Sequence, residues 1–558
     1  MLAVSLQAAF AALLLVIGSV DALPTTRASG PTVQLDNGTF VGQASGKVNK
    51  FLGIPFAQPP TGDLRFRLPK PNDPYSGTQT VIAFGPSCPQ QDVTIPIPAG
   101  LAQDAIDFLV NTVYGLIFPD SEDCLTINVV APATAKPGDK LPVVTWIFGG
   151  GFELGGTSTY DGASIVQKSI DLGEPVVYVS MNYRVSAFGF LASDEVKQAG
   201  VGNLGLQDQR EALRWIQKYI SSFGGDPTKV TIWGESAGAI SVALHLLTNG
   251  GNTEGLFRAA FMESGSPIPV GDISHGQPYY DDLVQRTGCT GSSDTLECLR
   301  QVPYSKLKAA VDKSPSIFAY QSLALAWLPR ADGVFLKDTP QNLVQQGSVA
   351  NVPLITGDCD DEGTLFSLST LNVTTEQQVH DYLKQIYFPQ GSDAELAAIL
   401  KAYPSDLTQG SPFNTGILDA LSPQFKRLAA LQGDAVFQAP RRFFLQQRSG
   451  KQNTWSFLSK RLKALPFLGS MDVCGRLQVH ASDILNVYGG GDMADYLVRF
   501  AANLDPNGNT GINWPKYTTA SPNLLTFLDG STPLTITQDT YRSDGFNALT
   551  QLSLEHPI

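Results

Sequence analysis

The sequence predicts an α/β protein: one large, mostly parallel sheet covered by helices on both faces. Three observations carry that expectation. Four short apolar runs, Leu141–Phe148, Pro175–Asn182, Val230–Trp233 and Val352–Thr356, lack polar alternation, as strands buried on both faces do. Amphipathic stretches separate them; Asp208–Phe223 places Ala212, Leu213, Ile216, Ile220 and Phe223 at helical spacing, and strands separated by helices argue for parallel pairing. Finally, Lys229–Trp233 runs directly into Gly234-Glu235-Ser236-Ala237-Gly238 and then into the apolar, helix-like Ala239–Leu247.

Composition narrows the partners. The chain has 558 residues, 16% of them charged, and a net charge of −13. Contact with nucleic acid or an anionic membrane needs clustered Lys and Arg, so neither partner is expected. Residues 1–22 read as a secretory signal. Their apolar core is short for a membrane span, and Val20-Asp21-Ala22 offers a small-residue cleavage site. The n-region departs from the usual pattern in carrying no Lys or Arg. No later segment is long and apolar enough for a transmembrane anchor. No linker, repeat or charge run divides residues 23–558, which read as one domain of an exported, extracellular protein. Six cysteines suit an oxidising compartment. Asn37-Gly-Thr39 and Asn372-Val-Thr374 are glycosylation sequons.

The strand, Gly-x-Ser-x-Gly turn and helix are the context of a nucleophile elbow, with Ser236 at the carboxyl end of a parallel strand. Glycines flank the serine because the turn is strained and closely packed, and the helix N-terminus beyond it favours negative charge. A serine hydroxyl needs a base, usually a histidine oriented by an acid, and elbow enzymes follow the order Ser, Asp or Glu, His. Five histidines are present. His245 and His275 precede any downstream acid, His380 reads as a solvated helix face, and His556 is nearly terminal. His480, opening a helix-like segment, is the best base. The acid should follow the strand ending near Thr356, where Gly357-Asp-Cys-Asp-Asp-Glu-Gly-Thr364 offers four carboxylates; position alone does not choose among Asp360, Asp361 and Glu362. Phe148-Gly-Gly-Gly-Phe-Glu-Leu-Gly155 supplies a glycine loop able to aim backbone N–H groups at an oxyanion. It lacks the Lys-Ser/Thr ending of a phosphate-binding loop.

With these blocks in place, the chain resembles the type-B carboxylesterase/lipase family, the cholinesterase-like branch of the α/β-hydrolase fold, and within it the secreted Candida/Geotrichum-type fungal lipases. The matching blocks are Phe51–Pro60, Ser121–Asn128, Trp146–Phe152, Phe223–Lys229, Gly234–Gly238, Asp361–Thr364 and Ser411–Leu418. The resemblance implies Ser236 as nucleophile, His480 as base and Glu362 as the acid, with Gly150, Gly151 and Ala237 as oxyanion donors. It implies disulfides Cys88–Cys124 and Cys289–Cys298, and a lid closed by the first, loop 88–124, with an amphipathic stretch over 100–118. Leu323 and Leu325 match acyl-binding positions, with plain core residues as the alternative. No metal or cofactor is implied. The expected substrates are esters at a lipid–water interface, acylglycerols first and sterol esters second. The alternatives are a carboxylesterase of soluble or aryl esters, or a non-catalytic binding protein of the same fold. The sequence does not speak to oligomeric state. One departure stands out: Met471–Val479 intervenes before His480, where the family runs almost directly to its histidine. The insertion could displace His480, and its Cys474 could pair with Cys359 as a third disulfide.

Overall fold

The structure is a computed structural model describing residues 30–93, 119–461 and 479–558. Its strands, in chain order, are Thr32–Leu35 (β1), Asn37–Val41 (β2), Gln43–Ser45 (β3), Val48–Pro55 (β4), Ser76–Thr80 (β5), Thr126–Pro132 (β6) and Leu141–Ile147 (β7). They continue with Val177–Met181 (β8), Gly225–Glu235 (β9), Ala259–Glu263 (β10), Leu354–Cys359 (β11), Thr454–Lys460 (β12), Asn523–Leu528 (β13) and Leu534–Gln538 (β14). Eleven of them form one sheet in the order β14-β13-β12-β11-β10-β9-β7-β8-β6-β4-β3, while β1, β2 and β5 form a small second sheet.

From β8 to β13 every pairing is parallel. The two edges are antiparallel. This is the α/β-hydrolase architecture, and its parallel centre has a functional consequence. The loops after β7, β9, β11 and β12 all emerge from the same edge of the sheet. Register brings two of them side by side, since Ile147 pairs with Gly234 just before the glycine loop and the elbow begin.

The strands are apolar on both faces because both are covered. β6, β8, β10 and β11 are buried at every residue. Trp146 and Trp233, cross-strand neighbours with ring centroids 4.3 Å apart, anchor the middle of the core. Among the described residues, the expected strands and helices form, with shifted ends. β9 begins at Gly225, five residues before the apolar run, because Gly225 already pairs with Leu141. The helix expected from Asp208 spans Leu204–Tyr219 and tightens into a 3-10 turn at Ile220–Phe223. The helix after Ser236 spans Ala237–Gly251, its backbone leaving helical geometry at Thr248.

Both implied disulfides are formed, Cys88–Cys124 and Cys289–Cys298. Cys359 is a buried free thiol 3.4 Å from Ser482 Oγ, and Cys474 lies outside the described residues. The same is true of the signal at residues 1–22, the lid stretch at 100–118 and insertion residues 471–478. Among the described residues, no helix is long and apolar enough to cross a membrane.

Candidate active site

The elbow is built as its glycines require. Ser236 adopts φ 56°, ψ −126°, a strained conformation between the end of β9 and the first helical residue, Ala237. A Cβ on Gly238 would stand 2.0 Å from the Ile147 carbonyl oxygen, and one on Gly234 would stand 2.5 Å from the Gly238 carbonyl carbon. Both contacts are with backbone, so neither side could yield. The turn closes only with glycine at both places.

Residues 118 and 244 positions apart in sequence meet at His480. Its Nε2 lies 2.6 Å from Ser236 Oγ and its Nδ1 lies 2.5 Å from Glu362 Oε2. The insertion before it therefore leaves the imidazole within bonding reach of both neighbours. The ring is wholly buried, packed against Phe437 and Phe366 with centroids 4.6 and 5.2 Å away. Burial in this apolar setting lowers the imidazole pKa to about 4 and raises the Glu362 carboxyl to about 8. The two shifts share one cause, exclusion of water, and together they favour a neutral imidazole at rest.

The acidic run after β11 sorts itself by partner. Asp358 receives Arg441 Nε at 2.8 Å, Asp360 pairs with Lys460 at 3.2 Å, and Asp361 accepts the Phe413 N–H at 2.7 Å. Only Glu362 turns to the histidine, its other oxygen held by the Cys359 N–H at 2.6 Å. These carboxylates are all buried, so the run is no solvated loop.

The glycine loop sits directly beside the elbow, where a Cβ on Gly149 would stand 2.8 Å from Ser236 Cβ. Gly150 and Gly151 have φ of 109° and 63°. The loop's internal bonds use the Gly150 carbonyl, which accepts from Glu153 and Leu154. Among the described residues, neither the Gly150 nor the Gly151 N–H donates to a protein acceptor. Ala237 adds the N–H of a first helical residue, which has no intrahelical partner.

A narrow, largely apolar cavity opens at Ser236, and its lining includes Gly151, Ala237, Leu323, Leu325 and Ile317. Leu323 and Leu325 are buried members of the core that also line the cavity. Glu153 helps to shape it. Wholly buried, with its pKa raised by burial to about 8, it accepts the Ile317 N–H at 2.8 Å. Sequence reasoning missed Phe366, Phe437 and Glu235. Glu235 Oε1 lies 3.4 Å from His480 Nε2, and burial raises its pKa well above the carboxylate range. Its place inside the pentapeptide was a usable signal. For the two phenylalanines there was none, since only the fold brings them to the histidine. Of the rejected histidines, His245 is a core residue bonded to Gln209 at 2.9 Å, and His380 is a surface residue beside Asp381.

A serine, a buried imidazole, a carboxyl group and unengaged amide hydrogens on an α/β-hydrolase sheet define a serine hydrolase-type site. The carboxylesterase family model matches residues 29–485, and the chain belongs to that family. It is 45% identical to lipase 4 of Diutina rugosa, over 94% of this chain and 96% of that one. It is 42% identical to a secreted triacylglycerol lipase of Gibberella zeae, over 93% of this chain and 90% of that one. Among solved structures, the crystal structure of Aspergillus niger EstA is similar with a TM-score of 0.79 at 28% identity, covering 95% of this chain and 99% of that one.

Proposed function

We propose that this protein is a secreted lipase that cleaves acylglycerols through an acyl-enzyme. The observation that carries the reading is His480, which touches Ser236 and Glu362 at 2.6 and 2.5 Å, with Ser236 itself on the wall of an apolar cavity. His480 Nε2 takes the proton of Ser236 Oγ as that oxygen attacks the ester carbonyl. The developing oxyanion is received by the N–H groups of Gly150, Gly151 and Ala237, each worth roughly 3–4 kcal/mol in the transition state. In its ionised form Glu362 accepts the Nδ1–H of the imidazole and so holds the tautomer with Nε2 free. The imidazolium then protonates the leaving alcohol, and water, deprotonated by the same imidazole, releases the acyl group.

The apolar cavity favours an acyl chain over a polar substituent, and the lipases among the relatives support acylglycerols as substrates. Export is supported by the secreted relative, by the signal-like residues 1–22, and by the exposed side chains of Asn37 and Asn372 as glycan acceptors. Residues 23–558 would form the single mature domain. The test is a hydrolysis panel running from nitrophenyl butyrate to emulsified triolein and cholesteryl oleate. Release of fatty acid from triolein, lost in Ser236→Ala, is expected. Turnover of soluble esters alone would make the protein a carboxylesterase, and no turnover would make it a non-catalytic relative.

A further inference from the structure

Part of the cavity wall is held in place by Ile558. Ile558 lines the cavity beside Ile268, Pro269 and Val270. Its N–H donates to the Pro269 carbonyl at 2.8 Å, and its own carbonyl accepts the Gly271 N–H at 2.8 Å. On the opposite side, the Ala331 N–H donates to the Gly271 carbonyl at 3.0 Å, and the Ile273 N–H donates to the Ala331 carbonyl at 2.9 Å. The wall segment 269–273 is therefore clamped between Ile558 and Ala331.

One charged side chain joins the two clamps. Arg330, next to Ala331, has its backbone fixed by Asn203, which donates to the Arg330 carbonyl and accepts its N–H, both at 2.9 Å. Its guanidinium is buried and reaches across, Nη1 donating to the Ile558 carbonyl at 3.2 Å. Arg330 Nε has no hydrogen-bond partner among the described residues. A guanidinium taken out of water with so few acceptors is costly. Burial lowers its pKa to about 10, so it keeps its charge at neutral pH.

Behind the wall lies a narrow second cavity, bounded by Ala435, Ala439, Phe443 and Leu549 and sharing Pro269 with the first. Pro269 is thus a partition with a cavity on each side, and a hydrogen bond to Ile558 is one of the contacts that keep it in place.

We propose that Arg330 is a positioning residue that pins Ile558 against the 269–273 segment, and that this strap sets the longest acyl chain the cavity accepts. The inference rests on the ester-hydrolase reading of the site. It predicts that a strap made bulkier excludes long chains, while a strap loosened or trimmed admits them.

The experiment measures kcat/KM for nitrophenyl esters from butyrate to stearate, with thermal melts reporting that each variant is folded. In Ile558→Trp, or Ile558→Phe should the first not fold, the stearate-to-butyrate ratio should fall on the order of tenfold. In Ile558→Ala and in Arg330→Met the ratio should rise severalfold. A ratio within twofold of the parent in the bulky variant would overturn the proposal. So would an Arg330→Met effect confined to melting temperature. If the parent hydrolyses no member of the series, the ester-hydrolase reading itself fails, a result distinct from turnover with an unmoved ratio.

Discussion

His480 is poised by what surrounds it rather than by its own chemistry. Free imidazole titrates near 6.5, and here burial lowers that to about 4. Only the neutral ring can accept the Ser236 proton, so a lowered pKa extends the active form toward acid. For a soluble ester, the acid limb of kcat/KM that reports the imidazole should have its midpoint near 4. A midpoint at 6.5 or above would show that the ring is solvated in the working enzyme. Glu362→Gln should lower kcat by about 10⁴, since an amide donating to Nδ1 stabilises the wrong tautomer. The matching control is Asp361→Asn, whose carboxylate faces the Phe413 N–H and not the histidine; a loss as large there would misassign the acid. Choosing among these neighbours was beyond the reach of position in the sequence. Each carboxylate is selected by a partner from a distant segment, and only the family resemblance pointed to Glu362.

At the scale of elements, the elbow is the part most legible from sequence, because its demands are local. A strained φ at Ser236 and backbone within 2–3 Å of where a Cβ on Gly234 or Gly238 would stand leave one residue type for each place. Gly238→Ala should therefore displace Ser236 and cost at least 100-fold in kcat/KM, with a lowered melting temperature. Near-parental kinetics in that variant would mean that the turn has slack this geometry denies. The Cys88–Cys124 bridge links residues separated by 36 positions. Replacing both cysteines by serine should cost about 2–4 kcal/mol in denaturant unfolding. Element ends were less legible. β9 starts early and the helix Leu204–Tyr219 starts ahead of its apolar stripe, because pairing and packing, not periodicity, decide where an element begins.

Across the whole molecule, a parallel sheet turns chain order into proximity. The glycine loop, the elbow and the acid loop follow β7, β9 and β11, the chain returns to the site at His480 after β12, and so four remote motifs share one edge. That convergence could be inferred from strand–helix alternation alone. The charged network behind the acid loop could not. Arg441 is fully buried and bonds to Asp358 at 2.8 Å and to Asp539 at 3.0 Å, while Arg442 meets Asp539 at 2.7 Å. Nothing in the spacing of these residues announces that they meet. Asp539→Ala would leave two buried guanidinium groups short of a counter-charge and should destabilise the fold by about 3–5 kcal/mol. Less than 1 kcal/mol by urea unfolding would mean that the network is solvated.

If Ser236 Oγ is the atom that attacks the ester carbonyl, an active-site phosphonate will be captured there. Intact-mass and peptide analysis should find one phosphonyl group per chain, on Ser236, and none in Ser236→Ala. Equal labelling of Ser236→Ala, or a parent protein that hydrolyses esters yet takes up no label, would contradict the account.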